Sequence, residues 1–385
     1  MKTPAQTISA RAPFKKLVNH DKLGDIPAAD KARAQSLLSR AFISTKNAAV
    51  NTVVSYVAEI SVGTPATPRL LIVDTGSSNT WVGASTPFSS TGTTKQLNVS
   101  MGVNYGSGFV RGTQVVDAVS FGSPLIIANQ SIGVAQQFSG FSGVDGIVGI
   151  GPARLTSGTV HGPSQGLVPT VTDNLFSSGV IPAPIVGISF QATNDTFDVN
   201  GELVFGGVDS SKFTGELSVF SMSDVPAPAN QFFGINAQFT PQGGDPLLNS
   251  VGIIDTGTTL IMLSKEAFAS YAAQTGAKLD NATGLLSVTE AQFTQMKTLN
   301  LVVNGQVTLP ITRDAQRWPQ ALTTAIGGDP KAVYLIIGNL GTSRGSGIDF
   351  ILGQFFLERF YSVFDSSGFV GLAQTAFTNA VVNGV

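Results

Sequence analysis

One construction occurs twice in this chain of 385 residues and constrains it more than any other feature. Leu70-Leu71-Ile72-Val73 runs into Asp74-Thr75-Gly76-Ser77, and Val251-Gly252-Ile253-Ile254 runs into Asp255-Thr256-Gly257-Thr258. A short apolar run ended by a Gly-containing turn reads as a buried strand. A single Asp-Thr-Gly is also an ordinary turn sequence. Two copies 181 residues apart, each with a hydroxyl after the glycine, imply two related halves that share one site.

The chemistry open to such a site follows from the residue types. Hydrolysis without a metal or a covalent nucleophile needs one group to deprotonate water and another to protonate the carbonyl oxygen. Two carboxyls held about 3 Å apart cannot both ionise, so they share a proton and act as base and acid at acidic pH. Asp74 and Asp255 are the candidates. Ser77 and Thr258 are placed to hydrogen-bond their outer oxygens, and Gly76 and Gly257 let backbone N–H groups come close.

Beyond these motifs the chain carries Tyr105-Gly106-Ser107-Gly108, Val144-Asp145-Gly146-Ile147-Val148-Gly149, Gly206-Gly207-Val208-Asp209, and Ile351-Leu352-Gly353 before Phe360-Tyr361-Ser362-Val363-Phe364-Asp365. In this order, over roughly residues 57–373, the chain resembles the pepsin family of aspartic endopeptidases, in particular its fungal, cysteine-free branch of the polyporopepsin type. The resemblance implies an all-β, bilobal fold with two pseudo-symmetric lobes and a flap hairpin over the cleft. It implies an acid endopeptidase without metal or organic cofactor. Asp74 and Asp255 would be catalytic, supported by Thr75, Gly76, Ser77, Thr256, Gly257 and Thr258. Tyr105, Gly106 and Ser107 would form the flap, with the Tyr105 hydroxyl near the Trp81 indole N–H. Ile72, Phe138, Val144 and Ile147 would line an apolar pocket that prefers hydrophobic or aromatic residues at the scissile bond. Ser107 stands where some fungal relatives place an Asp that pairs with substrate lysine, so lysine should be a poor substrate here. Gln354 stands where many relatives have Asp.

Composition agrees. Charged residues are 12% of the chain, and 43 Gly and 25 Phe with few long helical patterns favour short strands and many turns. A net charge of −2 gives no reason to expect nucleic acid. No apolar stretch is long enough for a membrane helix. Zero Cys excludes disulfides and thiol chemistry. The two histidines, His20 and His161, make no metal or triad pattern. Asp145, Asp349 and Asp365 read as structural.

The charge is unevenly spread. Residues 1–46 hold nine Lys/Arg against three Asp, a formal +6, which leaves −8 for the rest. A basic head on an acidic body suits an electrostatically docked pro-segment, with Ala28 to Leu38 helical by propensity. A lysine from that head, Lys15, Lys16 or Lys46, is expected between the two aspartates. The division expected is 1–46 pro-segment, 47–212 N-terminal lobe and 213–385 C-terminal lobe, the catalytic unit covering about 56–373. Short helices are expected at Thr170 to Phe176, Lys265 to Gln274 and Glu290 to Lys297, and a hairpin over Gly102 to Val116. No signal peptide is recognisable at the N-terminus, yet the resemblance implies a secreted or vacuolar monomer that acts on polypeptides. Asn98, Asn129, Asn194 and Asn281 begin glycosylation sequons. The rival reading is a catalytically silent pepsin-like binding or inhibitor protein, against which both Asp-Thr-Gly motifs and Tyr105 stand.

Overall fold

Apolar runs broken every few residues by Gly, Pro or Ser fold here as short strands. The computed structural model describes residues 10–18, 26–42, 54–106, 108–162, 166–192 and 200–384. In chain order, the first half contains β1 (Ala10–Val18), α1 (Ile26–Phe42), β2 (Val54–Val62), β3 (Thr67–Asp74), β4 (Trp81–Val82), β5 (Lys95–Tyr105), β6 (Gly108–Ser120), β7 (Ile126–Ser139), β8 (Gly146–Gly149) and α2 (Val171–Ser177). The architecture is bilobal and dominated by β-sheet, with a 14-stranded sheet, a 7-stranded sheet and a 3-stranded sheet.

The repeat seen in the sequence is a repeat of topology. Strand β3 ends at Asp74 and pairs in parallel with β8, from Leu71 opposite Gly146 to Asp74 opposite Gly149. Strand β8 pairs antiparallel with β4, Ile147 facing Trp81. In the second half the strand Leu248–Ile254, which leads to Asp255, pairs in parallel with Phe350–Leu352. That strand in turn pairs antiparallel with Ile261–Leu263. Burial on both faces explains why these runs lack polar alternation. A glycine closes each copy because another segment crosses it. A Cβ on Gly149 would lie 2.6 Å from Ser78, and one on Gly353 would lie 2.3 Å from the Leu260 carbonyl.

The lobes do not divide cleanly along the chain. Strands Ile185–Phe190 and Gly201–Phe205 pair with each other, and the former also pairs with Phe360–Asp365 near the C-terminus. Strand β1 lies between Gly201–Phe205 and β2, so the N-terminal segment is itself a strand of this sheet.

The expected helices form with small changes of boundary: α1, α2, Lys265–Thr275 and Glu290–Gln295. Thr170 caps α2 reciprocally, its hydroxyl accepting from the Asp173 N–H while the Asp173 carboxylate accepts from the Thr170 N–H. The hairpin around Tyr105 is longer than expected, since β5 and β6 pair from Lys95 opposite Val116 to Tyr105 opposite Gly108. Ser107, Asn194, His20 and Lys46 lie outside the described residues. Asn98, Asn129 and Asn281 are exposed.

Candidate active site

The two Asp-Thr-Gly turns meet because each threonine reaches across to the other loop. The Thr75 N–H donates to Thr256 Oγ1 (3.0 Å) and the Thr256 N–H donates to Thr75 Oγ1 (2.9 Å). Thr256 Oγ1 then donates to the Val73 carbonyl (2.8 Å). All these groups are buried, so each bond also satisfies a donor that could not reach water. A valine at either position would strand the backbone N–H of the opposite loop.

The carboxylates are held in matching ways. Asp74 Oδ1 accepts from the Gly76 N–H (2.9 Å) and Asp74 Oδ2 from the Ser77 hydroxyl (2.5 Å). Asp255 Oδ1 accepts from the Gly257 N–H (3.1 Å) and Asp255 Oδ2 from the Thr258 hydroxyl (2.6 Å). Asp74 is 1% exposed and Asp255 fully buried. The second loop has a further clamp at Gln354, whose N–H donates to the Thr258 carbonyl and whose Nε2 donates to the Thr256 carbonyl, both at 2.8 Å. The neutral amide therefore holds the Asp255 loop through its backbone.

The group between the carboxylates is Arg33, not a lysine. Its Nε donates to Asp255 Oδ2 (2.6 Å), and its Nη2 donates to both Asp74 Oδ1 (2.6 Å) and Asp255 Oδ1 (2.8 Å). The planar fork reaches both acids at once, which a point-like ammonium does less well. Of the lysines expected there, Lys15 is exposed and Lys16 is buried against Glu358. Burial favours the neutral form of Asp255, yet the Arg33 charge and hydrogen bond, the Thr258 hydroxyl and the Gly257 N–H together hold its carboxyl below the usual range. Burial also works against the Arg33 charge, but Asp255 and Asp74 outweigh it and keep the guanidinium charged.

Helix α1 brings Arg33 there because its buried stripe, Ile26, Asp30, Arg33 and Leu37, follows the helical period. Ala29 and Ala34 keep that face slim. Asp30 caps the other lobe's turn, accepting from the Thr259 N–H (3.0 Å) and the Leu260 N–H (2.7 Å). Its burial outweighs those bonds and the Arg33 charge and pushes its carboxyl up to about 7. The hairpin tip lies directly on the helix: a Cβ on Gly106 would come within 1.9 Å of the Arg33 Cα. Ser36 donates from its hydroxyl to the Asn104 carbonyl (3.2 Å). Fully burying Ile26 and Leu37 contributes about 1.5–3 kcal/mol each. Apolar contact therefore holds the helix on a scale comparable with the ion pairs.

Most of the expected pocket residues gather behind the hairpin. Ile72, Trp81, Tyr105, Val144 and Ile147 form one buried cluster with Val57, Met101, Val103, Val110 and Phe141. The Trp81 indole N–H donates to the Tyr105 hydroxyl at 2.9 Å. Phe138 is not brought in. It pairs with Val110 across the β6–β7 ladder and is 41% exposed. Phe141 occupies the cluster instead, edge-on to Trp81 (4.8 Å between centroids) and to Tyr105 (5.3 Å). Strand β7 ends at Ser139, and a bend at Gly140, in a positive-φ conformation (92°), lies between the two phenylalanines and takes Phe141 off the ladder. Asp145, Asp349 and Asp365 hold turns: Asp145 accepts from the Leu70 and Thr86 N–H groups, Asp349 from the Gly345 N–H, and Asp365 from the Ser367 N–H. Among the described residues no group of three His, Cys, Asp or Glu could hold a metal ion, and no helix is long and apolar enough to cross a membrane.

Comparison with known proteins converges on one family. Residues 55–375 match the family model described as eukaryotic aspartyl protease. The chain is 48% identical over 337 residues to polyporopepsin from Irpex lacteus, covering 87% of this chain and 98% of that one. It is 32% identical over 330 residues to rhizopuspepsin-1 from Rhizopus niveus, covering 81% and 76%. The crystal structure of the aspartic proteinase from Irpex lacteus superposes with a TM-score of 0.84 at 42% identity, covering 97% of this chain and 99% of that one. The chain thus belongs to the eukaryotic aspartyl protease family, is an aspartic-type endopeptidase, and is closely related to fungal polyporopepsin.

Proposed function

We propose that this chain is the zymogen of an acid endopeptidase, with Asp74 and Asp255 as its catalytic pair and residues 1–46 as a removable pro-segment that Arg33 locks into the cleft. One observation carries the reading: a single guanidinium from the N-terminal helix bonds both carboxylates, where a water and a peptide carbonyl would have to bind. Once Arg33 leaves, two carboxyls spanned by one guanidinium cannot both stay ionised and share a proton. One deprotonates a water while the other protonates the carbonyl oxygen of the scissile bond. Gly76 and Gly257 leave room for substrate backbone, since a Cβ on either would lie within 2.5 Å of Arg33 Nη2. The hairpin carrying Tyr105 and Gly106 closes on substrate as it closes on α1. The apolar wall of Ile72, Val144, Ile147 and Phe141 favours hydrophobic or aromatic side chains at the scissile bond. Polypeptides are the substrates, and we read the enzyme as a secreted or vacuolar monomer.

Acid is the trigger. Above the ordinary carboxylate range Asp255 is ionised and the ion pair is fully present. As pH falls through the depressed Asp255 value the pair is lost, and the −8 body loses charge while the basic segment keeps its own. The test is to hold full-length protein at neutral pH, step it through a series from about pH 4 downward, and follow its mass together with peptide hydrolysis. Loss of roughly the first 40 to 50 residues with the onset of activity is expected, as for a ligand whose departure frees the site. Neither should occur in Asp74→Asn or Asp255→Asn. A full-length chain already active at acid pH with nothing removed would sink the zymogen reading, and turnover by a folded Asn variant would sink the assignment of the pair.

A further inference from the structure

Strand β1 enters the body as a strand of the large sheet, between Gly201–Phe205 and β2. Its inward residues alternate as Ala12, Phe14 and Lys16. Phe14 sits edge-on to Tyr56 (5.3 Å between centroids) and to Phe190 (4.9 Å). Gly201 makes room for it, because a Cβ there would lie 2.3 Å from the Phe14 ring. The next inward residue is a lysine buried to 2% exposure, against a glutamate buried to the same degree. Lys16 Nζ donates to Glu358 Oε1 (2.7 Å), and the ammonium lies 5.1 Å from the centre of the Phe355 ring. The Tyr56 hydroxyl donates to the same Oε1 (2.7 Å) and accepts from Asn200 Nδ2 (3.3 Å).

Neither ion belongs to the chemistry described above. Each is desolvated, and each depends on the other, because an unpaired buried charge costs far more than a paired one. The carboxylate belongs to the catalytic body and the cation to the segment. A cation chosen only for solubility or for general attraction to an acidic body would lie at the surface, as Lys15 does.

We propose that Glu358 is the anchor of the N-terminal strand, holding β1 in the sheet through Lys16 as a second lock separate from the Arg33 lock on the aspartates. This rests on reading residues 1–46 as a removable segment and adds how that segment is retained. Withdrawal of Arg33 then opens the cleft while β1 stays docked. Release has two stages, helix before strand, and the strand leaves only when the Lys16–Glu358 pair is broken.

Amide hydrogen exchange of the full-length chain at neutral pH separates the two locks, because β1 and α1 are read independently. Arg33→Met should speed exchange across 26–42 and leave 10–18 slow. Glu358→Gln and Lys16→Met should each speed exchange across 10–18 by on the order of a hundredfold, the consequence of stranding one buried charge. The paired change Lys16→Met with Glu358→Gln should restore much of the protection, since no charge is then left unpaired. If Glu358→Gln does not fold, Lys16→Met carries the test from the segment side. Wild-type exchange across 10–18 in Lys16→Met overturns the anchor, and so does opening of both elements together in Arg33→Met. Activity after an acid step is measured separately: a full-length chain active with nothing removed overturns the pro-segment reading, whereas the exchange pattern alone decides the anchor.

Discussion

Arg33→Met removes the guanidinium while keeping a long side chain of similar reach on the buried stripe of α1. Three charge-assisted bonds of 2.6, 2.6 and 2.8 Å disappear, and two buried carboxylates lose their cation. Removing one partner of a buried pair costs about 3–5 kcal/mol. The lower end applies here, because the carboxyls can recover part of the loss by sharing a proton. About 3 kcal/mol raises the population with an open cleft on the order of a hundredfold. In the wild type the pair is fully present above the ordinary Asp range and lost as pH falls through the depressed Asp255 value. The variant lacks it at every pH. With the one shared proton taken up on release and 1.36 kcal/mol per proton per pH unit, the midpoint of processing should move up by about two units. Mass spectra after ten-minute incubations across a pH series, run in the presence and absence of pepstatin, give the midpoint. Arg33→Lys should fall between the two, since the charge remains but the fork is lost. An unchanged midpoint in Arg33→Met would refute the lock and leave the apolar stripe of α1 as what holds the segment.

Other consequences can be checked in the same preparations. Asp30→Asn should hold the segment more tightly at neutral pH and alter little near pH 4: the docked carboxyl is raised to about 7, so burying its ionised form opposes docking above the ordinary range, and the amide oxygen can still accept from the Thr259 and Leu260 N–H groups. Segment exchange rates at the two pH values decide this, and equal slowing at both would contradict it. Thr258→Val removes a 2.6 Å bond to Asp255, so the acidic limb of the kcat/KM profile of the processed enzyme should move up by about a unit. Tyr105→Phe leaves the buried Trp81 indole N–H without its hydroxyl partner, and kcat/KM on a hexapeptide should fall about tenfold with the thermal midpoint little changed.

Much of this molecule was legible in the residues because its constraints are local. An apolar run, an aspartate, a glycine and a hydroxyl within eight positions specify a buried strand, a turn and a bonded carboxylate, and the sequence contains that instruction twice. The helix of the N-terminal segment, the capped helix after Thr170 and the hairpin around Tyr105 are likewise written in neighbouring residues. The Trp81–Tyr105 bond, by contrast, was expected only from the family resemblance.

What only the tertiary structure decided is which distant charges meet. Charge counting marks residues 1–46 as basic but treats all nine cations alike, and their energies differ by burial rather than by sign. Arg33 is selected because it falls on the buried stripe of a helix slim enough to pass beneath Gly106. Lys16 is selected because it falls on the inward face of β1, beside a glutamate 342 residues away. The same holds for Phe141 over Phe138, where a bend at Gly140 separates the ring on the ladder from the ring in the cluster. Sequence by itself determined that two aspartates would share one site. The packing of a helix and a strand against both lobes determined what closes it, because desolvation is a property of where a charge ends up and not of the residue that carries it.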